Sequence, residues 1–326
     1  MRDLSYRAVL LASASALMAG ASAACSGTEP ASDDGLTVFV SILPQQYFVD
    51  RIGGDHVAVN VMVGPGANPA TYEPKPEQLR ALSGAEAYFT IGVPFEDVWL
   101  DRIAAANPDM VVVDTIAGIE RMPMAAHDLH DDEQAADGSD GGDEANAAAA
   151  SDGDVTEEHA AGAPDPHVWL SPELVKLQAQ TIHDALVELD PDHADDYSTN
   201  RAAFIADVDQ LEADIREMLS DRQSDRFIVF HPSWGYFARD FGLTQVPIQV
   251  GGQEPSAQEL AAVIAEAREA GIHVILAQPE FSAQDAETIA GEIDGEVLLV
   301  SPLAADWLDN MRRMADTFAE VLGRDE

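Results

Sequence analysis

Two histidines of this sequence stand where the neighbouring residues restrict the backbone. His231 ends the apolar run of IVFHPSWGYF and precedes a proline, and His167 lies between Pro166 and a helix start in DPHVWLSP. Neutral imidazoles suit zinc and similar borderline cations. Since side chains that bind ligands gather where the strands of a parallel sheet end, the pair predicts one divalent-cation site. The alternative is that each histidine is a hydrogen-bonded structural residue.

Three further histidines lie among acidic residues, in DLHDDE and TEEH: His127, His130 and His159. A segment of this kind chelates divalent cations weakly and without a fixed geometry. The alternative is a solvated run of charges in which the histidines are incidental.

The motifs of common enzyme classes are absent from the sequence. It contains no GxxxxGK[ST] phosphate loop and no GxSxG nucleophile elbow, and HPSW lacks the second histidine of HExxH. No nucleophile is paired with a base. We therefore expect a binding protein rather than an enzyme.

The composition indicates an acidic protein of two domains. The chain has 326 residues, and its 59 Asp and Glu outnumber 17 Lys and Arg, which gives a formal net charge of -42. Such a surface repels phosphate backbones, so we expect no nucleic-acid partner and consider a cation plausible. The alternative is an acidic surface that serves salt adaptation or solubility.

The N-terminal residues have the layout of an export signal. Arg2 and Arg7 precede AVLLASASALMAG, a run too short to span a bilayer, and Cys25 is the only cysteine of the chain. Because SAAC resembles the bacterial lipoprotein cleavage box, we expect residues 1–24 to be a signal peptide and Cys25 to carry a lipid. The alternative is plain cleavage after Ala23. Residues 25–35 then form a tether, and the protein is exported, periplasmic or at the cell surface.

The remainder alternates β-branched runs with amphipathic helices, which predicts an α/β fold. We expect an N-terminal lobe over 36–195, a long rigid connecting helix over 196–222 and a C-terminal lobe over 223–326. Each lobe would contain a mainly parallel four-stranded sheet flanked by helices, with a cleft between the lobes. The acidic segment 124–165 has no apolar period, so we expect a disordered insert there.

Four stretches, in order along the chain, resemble the zinc/manganese substrate-binding proteins of ABC transporters, the cluster that also contains the so-called adhesin lipoproteins. They are GPGANPATYEPKPEQLRALSGAEAYFTIGVPFE, DPHVWLSP, FHPSWGYFARDFGL and VLLVSPLAADWLDN. The resemblance implies two lobes, one metal in the cleft, a monomer, and delivery to a permease and ATPase pair. It also implies that His167 and His231 are metal ligands.

The sequence departs from this family pattern at two ligand positions. Ala70 stands where the family has a histidine, and Ser301 stands where it has an aspartate. Glu280, which follows a predicted buried strand, is the first candidate to replace them. Other candidates on the expected mouth loops are Glu254, Glu73 and Gln45. Two imidazoles favour zinc as the ligand, with manganese second.

Three other functions compete with zinc capture. A divergent member of the family could bind a metal complex or another small solute. A metallohydrolase could use the two histidines with an open metal position, but no general base stands beside either histidine. A cell-adhesion lipoprotein would not need paired imidazoles.

Overall fold

The computed structural model describes residues 35–125, 163–249, 256–280 and 284–323. The signal peptide, Cys25, Glu254 and the three histidines of the acidic segment lie outside these ranges. The elements of the N-terminal half are β1 Leu36–Ile42, α1 Leu43–Gly53, β2 Val57–Val63, α2 Pro76–Ala81, β3 Ala87–Thr90, α3 Pro94–Ala106 and β4 Val111–Asp114.

Two long helices, α4 (Pro172–Leu189) and α5 (Ala194–Met218), lead to the C-terminal half. Its elements are β5 Arg226–Val229, α6 Gly235–Phe241, β6 Thr244–Pro247, α7 Ala257–Glu269, β7 Val274–Ala277, α8 Gln284–Glu292, β8 Glu296–Leu299 and α9 Trp307–Leu322.

The described strands form two parallel sheets of four strands each. Their orders are β2-β1-β3-β4 and β6-β5-β7-β8, so both halves follow one topology although their residues do not repeat. This confirms the predicted fold class. In each sheet the order reverses at the first strand of the half, and ligands of parallel sheets bind outside the carboxyl ends of strands at such a point.

Helix α5 is the long connection expected between the lobes. It has 25 residues, and no glycine or proline interrupts it. Phe204, Val208, Leu211 and Ile215 follow one another at helical spacing and are fully buried. This apolar stripe packs against the hydrophobic core, so α5 crosses the molecule as one uninterrupted helix.

One hydrophobic core extends through both halves. Trp307 of α9 meets the ring of Phe48 of α1 edge to face, with centroids 5.1 Å apart, and Phe204 of α5 at 6.3 Å. The same cluster reaches Phe227 of β5 and Phe318 of α9. A smaller apolar cluster fills the other side of the second sheet.

The edges of the acidic segment are ordered, which corrects the predicted insert boundaries of 124–165. Pro123 and Pro164 form an antiparallel bridge, and the Met124 amide donates to the Ala163 carbonyl over 2.7 Å. Met124 and Asp165 are buried. Residues 126–162 lie outside the described ranges, and no described helix is long and apolar enough to cross a membrane.

Candidate metal site

A small pocket lies where loops from the carboxyl ends of both sheets meet. Its volume of about 30 Å³ is room for roughly two water molecules. The loops after β2, β3, β5 and β8 contribute to its wall, together with the segment that precedes α4. The lining residues are Asn68, Pro69, Ala70, Val93, Pro94, Pro166, His167, Trp169, His231, Ser233, Pro302 and Leu303.

His167 is held by the carboxylate of Asp165. Its Nδ1 lies 2.7 Å from Asp165 Oδ1, and the same oxygen accepts the His167 backbone amide at 2.9 Å. Both side chains are almost fully buried. Since a carboxylate accepts hydrogen bonds, Nδ1 carries the ring proton, and the ring would present Nε2 to a cation.

His231 is held in the same way by a carboxamide. Its Nδ1 lies 2.8 Å from Gln249 Oε1, so this ring too would present Nε2. Gln278 fixes the backbone: its Oε1 accepts the His231 amide at 3.2 Å and its Nε2 donates to the His231 carbonyl at 2.8 Å. These bonds lock the exit of β5 against the end of β7.

The two imidazole rings lie close together, edge to face. Their centroids are 5.3 Å apart and their planes meet at 71°. Two imidazoles bound to one tetrahedral zinc, with a Zn–N distance of about 2.1 Å, would have ring centres roughly 5.3 Å apart. Edge-to-face packing alone also gives separations of about 4.5–7 Å. Each Nδ1 also has an oxygen partner, as metal-ligating histidines almost always have.

The segment that includes His167 is anchored to the second half of the molecule. Four hydrogen bonds tie it to α6, α9 and the loop after β8. They are Trp169 Nε1 to the Pro302 carbonyl at 2.8 Å, Trp307 Nε1 to the Trp169 carbonyl at 2.8 Å, Tyr236 Oη to the Asp165 carbonyl at 2.9 Å and Ser171 Oγ to Asp240 Oδ2 at 2.5 Å. His167 is therefore fixed relative to the half that contains His231.

A family model described as ZnuA, zinc-uptake complex component A, periplasmic, matches residues 38–321. The chain belongs to this family. The match includes both sheets and all of the pocket. The family description names a transport component, as expected for a binding protein rather than an enzyme.

Named relatives agree with this assignment. The zinc-binding protein AdcA of Streptococcus pyogenes is 27% identical over 286 residues, which are 86% of this chain and 53% of AdcA, so the chain spans about half of that relative. The high-affinity zinc uptake system protein ZnuA of Bacillus subtilis is 27% identical over 281 residues, 85% of this chain and 81% of that protein. A crystal structure of ZnuA superposes with a TM-score of 0.76 at 44% identity, and the alignment covers 89% of this chain and 100% of that one.

The positions that differ from the expected ligand pattern lie at or beside this pocket. Ala70 is part of the lining and presents a methyl group, while its backbone amide donates to Asn68 Oδ1 at 2.8 Å. Ser301 directly precedes Pro302 and Leu303 of the lining. Its hydroxyl donates to Glu280 Oε1 at 2.5 Å and accepts the Leu303 amide at 3.1 Å.

The predicted substitute ligands have different surroundings. Glu280 contacts Ser301, and its Oε2 is buried without a hydrogen-bond partner in the described ranges. Gln45 does not have the surroundings of a metal ligand, because its side chain is fully buried. Its Oε1 accepts the Ser41 amide at 3.0 Å, and its Nε2 donates to the Thr90 carbonyl at 3.1 Å. Glu73 is exposed.

No group of three or more His, Cys, Asp or Glu side chains in the described part of the chain is arranged to hold a metal ion. Two histidines are therefore what the described side chains bring together at the pocket. Glu280 as a third ligand stays a prediction.

A buried carboxyl group supports one wall of the pocket. Glu96 is 4% exposed, and it accepts the amides of Ile91 at 3.0 Å and Gly92 at 2.7 Å and the hydroxyl of Ser41. Desolvation raises its pKa to about 7, although the three hydrogen bonds oppose that shift. The loop that Glu96 holds continues into Val93 and Pro94 of the lining. In the sequence, Glu96 is recognisable only as an acid shortly after a strand.

Proposed function

We propose that this protein is the extracytoplasmic solute-binding subunit of an ABC importer, and that it captures zinc between His167 and His231. It would deliver the ion to a membrane permease and its ATPase. The observation that carries the proposal is the pair of buried imidazoles in one small pocket, each with Nδ1 held by an oxygen, of Asp165 or of Gln249.

The donor atoms favour zinc over manganese. Imidazole nitrogens suit zinc, whereas manganese prefers carboxylate, carbonyl and water oxygens. The ring separation of 5.3 Å is compatible with two imidazoles bound to one tetrahedral zinc.

The coordination of the ion needs more than the two histidines. Ala70 offers no donor atom, and Ser301 is already bonded to Glu280. Water, or the Glu280 carboxylate, would complete the four positions that zinc usually fills. Such a site is more open than a closed structural zinc site, which suits an ion that has to be released.

The location of the protein follows from the family and the N-terminal sequence. The family description is periplasmic, and residues 1–24 have the layout of a signal peptide. We propose that Cys25 carries a lipid that anchors the mature protein to a membrane, and that the protein acts as a monomer. Its net charge of -42 would raise the local concentration of divalent cations near the surface.

Zinc binding by purified variants tests the site. His231→Ala and His167→Ala should each lose high-affinity zinc binding in calorimetry, because each change removes one of two imidazole ligands. His183→Ala is the matched control, since His183 is outside the pocket lining and bonds Asp184 and Ser198. Wild-type affinity in His231→Ala would end the proposal.

Transport is a separate measurement. A strain in which the gene for this protein is deleted should regain zinc uptake at low zinc concentration when it expresses the wild-type protein. It should not regain uptake when it expresses His231→Ala. Equal recovery with both would contradict delivery of an ion held at this pocket.

A further inference from the structure

The two histidines of the pocket are held by partners of unequal charge. Asp165 Oδ1 lies 2.7 Å from His167 Nδ1, and Gln249 Oε1 lies 2.8 Å from His231 Nδ1. All four residues are buried, and the most accessible of them, Gln249, is 7% exposed. The two hydrogen bonds are therefore alike in length and in burial, and they differ by one negative charge.

The backbone fixes Gln249 beside His231. The Gln249 amide donates to the Phe230 carbonyl at 2.9 Å, and the Ile248 amide donates to the Val229 carbonyl at 2.8 Å. The segment after β6 therefore continues alongside the end of β5, where His231 follows. The pairing of the carboxamide with the imidazole is built into this contact between neighbouring strands.

The charge of such a partner affects how strongly an imidazole binds a cation. A carboxylate that accepts the Nδ1 proton orients the ring and raises its basicity. A carboxamide oxygen accepts the same hydrogen bond but polarises the ring less, because a bond between neutral groups is roughly half as strong as one to a charged group. His167 is therefore the stronger zinc ligand of the two, and His231 is the weaker.

We propose that Gln249 keeps His231 the weaker ligand, and thereby holds the zinc affinity of the pocket below what the same fold would reach with a second carboxylate. Gln249 is then a positioning residue, which acts through His231 and does not contact the ion. This inference rests on the proposed zinc site. It suits a protein that has to release its ion, since differences in affinity at one site are mostly differences in dissociation rate.

Gln249→Glu tests the inference directly, because it keeps the shape of the side chain and adds the charge. Zinc should bind about 10-fold tighter in calorimetry, the lower end of the effect of changing such a partner. A chelator should remove the ion correspondingly more slowly in stopped-flow measurements. Replacing a merely structural glutamine would not tighten binding. Gln258→Glu is the matched control, since Gln258 is exposed in the first turn of α7 and lies outside the pocket lining.

Thermal unfolding gives a second readout. In the metal-free protein Gln249→Glu buries a carboxylate, so the thermal midpoint should fall. Saturating zinc should then raise the midpoint by more than it does in the wild type, because tighter binding to the folded state stabilises it more. A lower midpoint with unchanged or weaker zinc binding would overturn the inference and leave the zinc site standing.

Should the buried charge prevent folding, Gln249→Leu decides. It removes the acceptor of the His231 Nδ1 proton, so zinc affinity should fall about 10-fold, and unchanged affinity would overturn the inference. Absence of zinc binding in the wild type, or its survival in His231→Ala, would overturn both the inference and the proposed function.

Discussion

Replacing Glu96 by glutamine should remove a specific part of the pH dependence of folding. The side chain of Glu96 is buried behind the pocket, and burial raises its pKa to about 7 from an ordinary value of 4.5. Glutamine has the same shape and no charge. Its carbonyl oxygen can accept the Gly92 amide, and its amide group can donate to Ser41 Oγ.

The size and sign of the effect follow from proton linkage. Because the folded carboxyl holds its proton up to a higher pH than the unfolded one, the folded state binds more protons between these two pKa values. Glu96 therefore contributes stability at low pH that is lost as the pH rises through about 7. Between about pH 5 and about pH 8 the free energy of unfolding of the wild type should fall by about 2.5 kcal/mol relative to Glu96→Gln.

Urea unfolding of the metal-free proteins across this pH range measures that difference, since the titrations shared by both proteins cancel. Glu86→Gln controls for the loss of one acidic charge, because Glu86 is an exposed glutamate that accepts the Thr37 amide at 2.7 Å. If the free energies of unfolding of wild type and Glu96→Gln differed by the same amount at every pH, the reasoning would be refuted. A difference that grew in the opposite direction would show that the hydrogen bonds outweigh desolvation.

Three further substitutions and one double variant test the surroundings of the histidines. Asp165→Asn should weaken zinc binding in calorimetry about 10-fold or more, because a neutral amide polarises the His167 ring less, and unchanged affinity would contradict the assigned role of the carboxylate. Ala70→His should tighten zinc binding by supplying a third imidazole, whereas Ser301→Asp should lower the thermal midpoint because it places a second carboxylate against Glu280. Adding Glu280→Gln to Ser301→Asp should restore that midpoint, and no restoration would refute the like-charge explanation.

The fold could be predicted because its signals are local. Runs such as RFIVFH and HVILAQP are short, apolar and β-branched, and helical segments separate them. Ser171 caps α4 as its position before Pro172 predicts, with its Oγ accepting the Leu174 amide at 3.2 Å. His167 and His231 could be singled out for the same reason, because the prolines beside them restrict the backbone.

The partners of the histidines could not be predicted, because they depend on tertiary contacts. Asp165 is one more acid at the end of an acidic stretch in the sequence, yet it is buried against His167. Gln45 has the type and place of a ligand in the sequence, but the backbone around it uses all of its polar atoms.

The hydrophobic core that extends through both halves limits how such proteins can diversify. Trp307 from the C-terminal half packs against Phe48 and Phe204 from earlier elements, so neither half has a complete interior of its own. A chimera that joined half of this chain to half of a relative would have to match these aromatic residues as well as the pocket. New metal preferences in this lineage are therefore expected to arise from point substitutions at a few wall positions, as at Ala70, and not from exchange of whole lobes.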